Sequence, residues 1–274
     1  MEPGYYVVPT MMTMFTAERA KVVRALEGGP EALCRVVQGL VALPPEAEAA
    51  GLPASRLDEK NLRPADGLLH RLLELDGAAI DEPRPIDRRV VGTCRHLAVL
   101  ACALLRAHGL PARARCGFAG YFTPGRYVDH WITEHWDEPS GRWRRIDSEI
   151  LGTDIVPRPA DLAEEEFLSG GEAWQRCRSG QLDPTDFGID FATLPDLVGP
   201  AEIRGNAIRD LAALNKVEML PWDEWGPMRA SYDGTTGPDF DELIDEVAET
   251  CASDDTERIH GVYADLAVPE QLVV

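Results

Sequence analysis

An apolar helix with well-marked ends constrains this chain more than any other stretch. Between Thr93 and Gly109 the residues Leu97, Leu100, Ala101, Leu104 and Leu105 recur at helical spacing. Thr93 offers an N-cap, and Gly109 followed by Pro111 prevents continuation. Residues 112–118 then alternate, with Ala112, Ala114, Cys116 and Phe118 on one side and Arg113 and Arg115 on the other, the pattern of a half-buried strand. A helix whose stripe must be covered, followed at once by a strand, predicts an α/β (α+β) chain. Cys94 falls at the first turn of that helix. Free backbone N–H groups and the positive end of the helix dipole favour a thiolate there.

The stretches on either side fill in the architecture. Helices are expected over 16–27 and 30–41, the second closed by Pro44-Pro45, with a polar, Pro-interrupted loop over 46–63 that has room for one helical turn, and a Pro64-opened helix carrying Leu68, Leu69, Leu72 and Leu73. Val128 to Trp136 and Arg142 to Ile150 read as a hairpin turning at Glu138-Pro139-Ser140-Gly141. In that register Asp137 faces Arg142, Trp136 faces Trp143, Glu134 faces Arg145 and Ile132 faces Asp147, which makes His130 and Asp147 diagonal neighbours on one face. Beyond Asp154 the pattern turns mainly helical: 162–177 as one helix or two with Gly170-Gly171 interrupting, 201–220, and an acidic helix over 239–251. A Pro/Gly-rich linker spans 183–200, and the tail 268–274 reads as an edge strand or irregular chain. The organisation expected is a single domain, 1–274, with N-terminal helices over 1–80, a central core over 81–150 and a helical extension over 151–274 that covers the core.

Charge and composition exclude several classes. A net charge of -20 argues against a nucleic-acid or anionic-membrane partner, since phosphate attraction requires a basic face. Six scattered cysteines with no zinc-type spacing imply free thiols in a reducing compartment, no metal and no organic cofactor. Neither a secretory leader nor an apolar run of membrane-spanning length is present, so the expected location is cytoplasmic.

Cys94, His130 and Asp147 form the leading chemical constellation. A thiol nucleophile needs a base to hold it as thiolate, and the base needs an acceptor to fix its tautomer. Glu149 competes with Asp147 for that last role, because both share a face. Gly92-Thr93-Cys94-Arg95-His96-Leu97-Ala98, the later Leu105-Arg106 to Gly109-Leu110-Pro111-Ala112-Arg113, Asp129-His130-Trp131 and Arg145-Ile146-Asp147 together resemble the transglutaminase-like superfamily over about residues 85–150. That resemblance implies a papain-like core with the nucleophile helix packed on an antiparallel sheet and extra helices at both ends. It also implies thiol acyl transfer from an amide or ester, ending in hydrolysis or capture by an amine, on a protein, peptide or small amide substrate. Its Cys, His and Asp positions fall on Cys94, His130 and Asp147. The family often has Asp where this chain has His96, and its aromatic two residues past the histidine is here Trp131, one residue past. Trp131, His96 and the run Trp222-Asp223-Glu224-Trp225 are the candidates for a substrate wall, with Trp222, Asp223 and Trp225 as the contacting residues and packing as the competing explanation. An arylamine N-acetyltransferase, which shares the Cys-His-Asp order, and a catalytically silent binding domain are the alternatives.

Overall fold

The computed structural model describes residues 3–234, 236–253 and 255–266, so the tail expectation for 268–274 falls outside the described residues. The fold is mixed α/β, as the sequence predicts. The described residues divide into two compact units: a first, formed by residues 3–114 and Ile132–Leu162, and a second, formed by Arg115–Trp131 and the described part of 163–266.

The first unit begins with α1 (Ala17–Arg24), α2 (Pro30–Gln38), β1 (Val41–Ala42), α3 (Pro44–Ala49) and α4 (Ala65–Leu75), then β2 (Val90–Val91) and α5 (Cys94–Ala107). Pro44 and Pro45 open α3 rather than merely ending α2. A proline in the first turn forfeits no helical hydrogen bond, and the Leu43 N–H finds the Glu46 carboxylate at 2.8 Å. The region 46–63, expected to be loop with room for one helical turn, therefore holds the end of α3 and, over Ala54–Asn61, a 3-10 helix. Helix α5 is buried from Arg95 to Arg106 and packs against α1, α2 and α4. A helix covered on all faces accepts polar residues only where they are bonded. Arg106 accordingly donates from Nε to the carbonyls of Tyr6 and Ala112 and from one terminal nitrogen to Thr13.

Strands β3 (Ala112–Ala119) and β4 (Tyr127–Asp137) run through both units, and β5 (Arg142–Ile146) completes the first. The hairpin register is the one the turn residues dictate: Asp137 opposite Arg142, Trp136 opposite Trp143, Glu134 opposite Arg145. It stops one pair early, at Thr133 opposite Ile146. Asp147 leaves the ladder and donates its N–H to the Pro159 carbonyl at 3.0 Å, so it does not pair with Ile132. The Thr133 hydroxyl donates to the Ala98 carbonyl, fastening β4 to α5.

In the second unit the strand order is β6-β3-β4-β7-β8, with β6 (Phe167–Ser169), β7 (Phe187–Asp190) and β8 (Leu194–Val198). β3–β6 and β7–β8 are antiparallel, and β7 joins β4 in parallel, so the sheet is mixed. The helix expected over 162–177 gives way to β6 and then α6 (Gly170–Arg178). Ser169 and Glu172 form a reciprocal capping box that starts the helix after the strand. The supposed linker over 183–200 supplies β7 and β8. Helix α7 (Pro200–Leu214) ends six residues before the predicted point, because Lys216 turns to a left-handed φ of 60°. α8 (Gly226–Tyr232), α9 (Pro238–Ala252) and α10 (Thr256–Asp265) complete the described residues; α6, α7 and α9 pack on one another, and α7 lies along β6 and β7.

Arg113 and Arg115 do not face water, contrary to the half-buried expectation for β3. All eight residues of that strand are buried. Arg113 donates to Glu134 at 2.6 Å in the first unit, and Arg115 makes a two-point pair with Asp210 at 2.9 and 2.7 Å in the second. A two-point guanidinium–carboxylate pair is the arrangement that lets both charges leave solvent.

Candidate active site

Thr93 has extended backbone angles (φ -118°, ψ -179°) and Cys94 is the first residue of α5. The start is unusual in that a histidine, not a carboxylate, closes it. The Thr93 N–H donates to His96 Nδ1 at 3.0 Å, and His96 Nε2 lies 3.0 Å from the Leu62 carbonyl. These partners assign the proton to Nε2. Burial, and then the charge of Arg95, push the His96 pKa down to about 3, which keeps the ring neutral and able to accept. Gly92 is required here: a Cβ would sit 2.9 Å from the His96 Cβ and 3.1 Å from Val41. His96 thus builds the helix start instead of touching a ligand; it is fully buried, with both ring nitrogens engaged.

Cys94 itself is half-buried, whereas Cys34, Cys102, Cys116 and Cys251 are buried. Arg95, the next residue, is completely buried beneath the helix and donates to the Arg63 carbonyl at 2.7 Å. Asp147 follows the end of β5 at 2% exposure, and its Oδ1 accepts the Glu149 N–H at 2.9 Å. Helix α2 connects these two places. It packs on α5, and its last residue, Gln38, donates to the carbonyls of Glu149 and Leu151, both at 2.9 Å, so one amide holds the turn that carries Asp147. Cys34 on the same helix lies beside Ser148 and Asp147, and burial pushes its thiol up to about 12, an unreactive value. The Glu149 side chain lines a cleft of about 950 Å³, together with Arg35, Gln38, Arg84 and Leu97, the last lying one helical turn beyond Cys94.

His130 lies on the part of β4 that belongs to the second unit, at 2% exposure. Its ring meets Phe122 edge-on, with centroids 5.0 Å apart, and Tyr121 at 6.2 Å. Both aromatics lie in a loop that the sequence marks only by its Thr-Pro-Gly turn; two adjacent rings ahead of a histidine strand were the available signal. Among the wall candidates, Trp131 is 1% exposed and belongs to the core. Trp225 is likewise buried, its Nε1 donating to the Met219 sulfur at 3.4 Å, and Asp223 caps the Leu220 N–H at 2.8 Å. Trp222, at 42% exposure, keeps a large free surface. Trp131 is therefore buried in the core, and Asp223 and Trp225 are packing residues whose polar atoms are already bonded within the chain.

Residues 80–148 match the model of the transglutaminase-like superfamily core. That span takes in the start of α5, the β4 histidine and the Asp147 turn. This segment is similar to a transglutaminase-like core, and it spans 69 of the 274 residues. No curated protein matches the chain. A solved protein from Cytophaga hutchinsonii, named as a candidate cysteine protease, is similar at 17% identity with a TM-score of 0.36, over 58% of this chain. The match spans 44% of that protein, less than half its length. Among the described residues no helix is long and apolar enough to cross a membrane, and no three His, Cys, Asp or Glu side chains cluster as metal ligands.

Proposed function

We propose that the chain is a thiol acyl-transfer enzyme in which Cys94 is the nucleophile, His130 the acid–base group and Asp147 the residue that orients His130. The observation that carries this reading is the placement of Cys94, half-buried, as the first residue of α5 within the matched segment. The thiolate is favoured there by the helix dipole. The sulfur attacks the carbonyl carbon of an amide or ester, and the C=O electron pair moves to oxygen. The Cys94 N–H is one donor available to that oxyanion. Collapse breaks the bond to the leaving group, which takes a proton from the imidazolium, and a thioester remains. Water or an amine then gives its proton to the imidazole as it attacks the thioester, and the thiolate departs. Asp147 is preferred over Glu149 as orienter because its carboxylate is buried and fixed at the turn, while the Glu149 side chain lines the cleft. That cleft is the proposed seat of the substrate.

The test is the pH dependence of Cys94 alkylation by iodoacetamide, read by mass spectrometry of the Cys94 peptide. A thiolate–imidazolium pair alkylates well below the free-thiol midpoint of about 8.5. His130→Ala should return the profile to that midpoint, and Cys94→Ala should abolish hydrolysis of, and amine incorporation into, casein. A wild-type profile centred near the free-thiol value, unchanged in His130→Ala, would overturn the proposal.

A further inference from the structure

Within the second unit, every hydrogen-bonding valence of the Asn206 side chain is used. Its Nδ2 donates to the Asp129 carboxyl at 2.6 Å and to the Gly117 carbonyl at 3.1 Å. Its Oδ1 accepts from the Arg209 guanidinium at 3.1 Å and from the Cys116 thiol at 3.4 Å. An amide has two donor hydrogens and two acceptor lone pairs, so this set is complete. The side chain is 1% exposed, and from α7 it reaches two neighbouring strands at once: β3 through Gly117 and β4 through Asp129. On β4 the next residue is His130. Successive side chains of a strand point to opposite faces, so gripping Asp129 toward α7 fixes the strand's rotation and thereby the direction of the His130 side chain.

We infer that Asn206 is a positioning residue for His130, acting through the Asp129 carboxyl, granting His130 the acid–base role proposed above. A buried amide with four partners is costly to satisfy and poorly tolerant of change. A strand held only by its ladder would need none of it. The surroundings are charged on several sides. Arg209 also donates to the Tyr232 hydroxyl at 3.2 Å, and that hydroxyl donates to Glu202 at 2.9 Å. Arg115 and Asp210 form their pair one turn further along α7. On the other face, Tyr121 and Phe122 close over His130. A rotation of the strand at residue 129 would therefore turn the imidazole against fixed rings.

The experiment again reads alkylation of Cys94 by iodoacetamide against pH, with thermal unfolding measured in parallel. Asn206→Asp is nearly isosteric but loses both donors and sets two carboxyls against each other. It should slow alkylation at pH 6 by about tenfold or more, moving the profile toward that of a free thiol. The exchange Asp129→Asn with Asn206→Asp restores one donor facing one acceptor and should recover most of the low-pH rate. Asp129→Ala, which removes the grip from the strand side, should reproduce the single-variant profile and serves if Asn206→Asp does not fold. A purely structural asparagine would lower the unfolding temperature while leaving the profile of the folded protein in place, and that result overturns the inference. So does an exchange variant that fails to recover the rate lost by Asn206→Asp. If His130→Ala itself alkylates like wild type at pH 6, the acid–base role falls and the positioning role falls with it. If His130→Ala loses the low-pH rate and folded Asn206→Asp keeps it, only the positioning role falls.

Discussion

His96 Nδ1 takes the Thr93 N–H at 3.0 Å, one residue before the candidate nucleophile on one side and two after it on the other. A neutral imidazole therefore closes the first turn of α5, in the place where a Glu or Gln usually completes a capping box.

That bond predicts an acid-sensitive helix start. Histidine titrates near 6.5 when unfolded, and in the folded chain burial and then Arg95 push it down to about 3. Between those values the unfolded chain binds a proton that the native chain refuses. Stability contributed by this group is thus complete above about pH 6.5 and is lost as pH falls toward 3. His96→Asn removes the titration, so its unfolding free energy, from urea titrations, should vary less over that window than that of the wild type, by an amount on the order of a few kcal/mol. Equal pH slopes for the two proteins would contradict the assignment.

Glu134 lies between two guanidinium groups, accepting from Arg113 at 2.6 Å and from Arg145 at 3.1 Å, while the Arg113 guanidinium also rests 4.2 Å from the centre of the Trp143 ring. Removing the carboxylate leaves buried positive charge without compensation, at a cost of about 3–5 kcal/mol. Glu134→Ala should lower stability by that order in urea unfolding. A loss under about 1 kcal/mol would mean that the guanidinium groups reach water once released.

Gly117 meets β6 so closely that a Cβ would stand 2.0 Å from the Leu168 carbonyl oxygen. The obstacle is backbone, which cannot rotate aside, so Gly117→Ala must separate β3 from β6. Overpacking of this kind costs typically about 1–3 kcal/mol, and here the upper end or beyond is expected. Amide exchange should accelerate first in Phe167–Ser169. Unchanged protection of those amides would show that the strands slide without parting.

Legibility followed the range of the forces involved. Local periodicity and turn chemistry placed α5 and the 127–146 hairpin, including the Trp136–Trp143 and Glu134–Arg145 pairs, because a four-residue turn fixes register. Features settled by distant partners were hidden. Arg113 and Arg115 alternate like surface residues, and nothing near them in sequence announces Glu134 or Asp210, which lies on α7. The ladder's early end at Ile146 depends on the Pro159 carbonyl, and β7 and β8 were masked by their prolines and glycines. At the candidate site the motif marked Cys94, His130 and Asp147. The residues that hold the surroundings, Gln38 and Asn206, are single polar side chains on helices and carry no pattern of their own.

The two tryptophans of the 222–225 run separate packing from recognition. Trp225 is 4% exposed and its indole N–H is occupied by Met219, so Trp225→Ala should cost about 3–5 kcal/mol, the usual penalty for emptying a buried aromatic site. Trp222 exposes 42% of its surface, so Trp222→Ala should change stability by no more than about 0.5 kcal/mol. If that exposed ring contacts substrate, Trp222→Ala raises KM while kcat holds, the signature of a contact made equally in ground and transition states. Urea unfolding of both variants, followed by saturation kinetics on the substrate identified with casein-derived peptides, checks the pair. A large stability loss in Trp222→Ala would return that side chain to the core, and an unchanged KM would leave it an exposed residue with no part in binding.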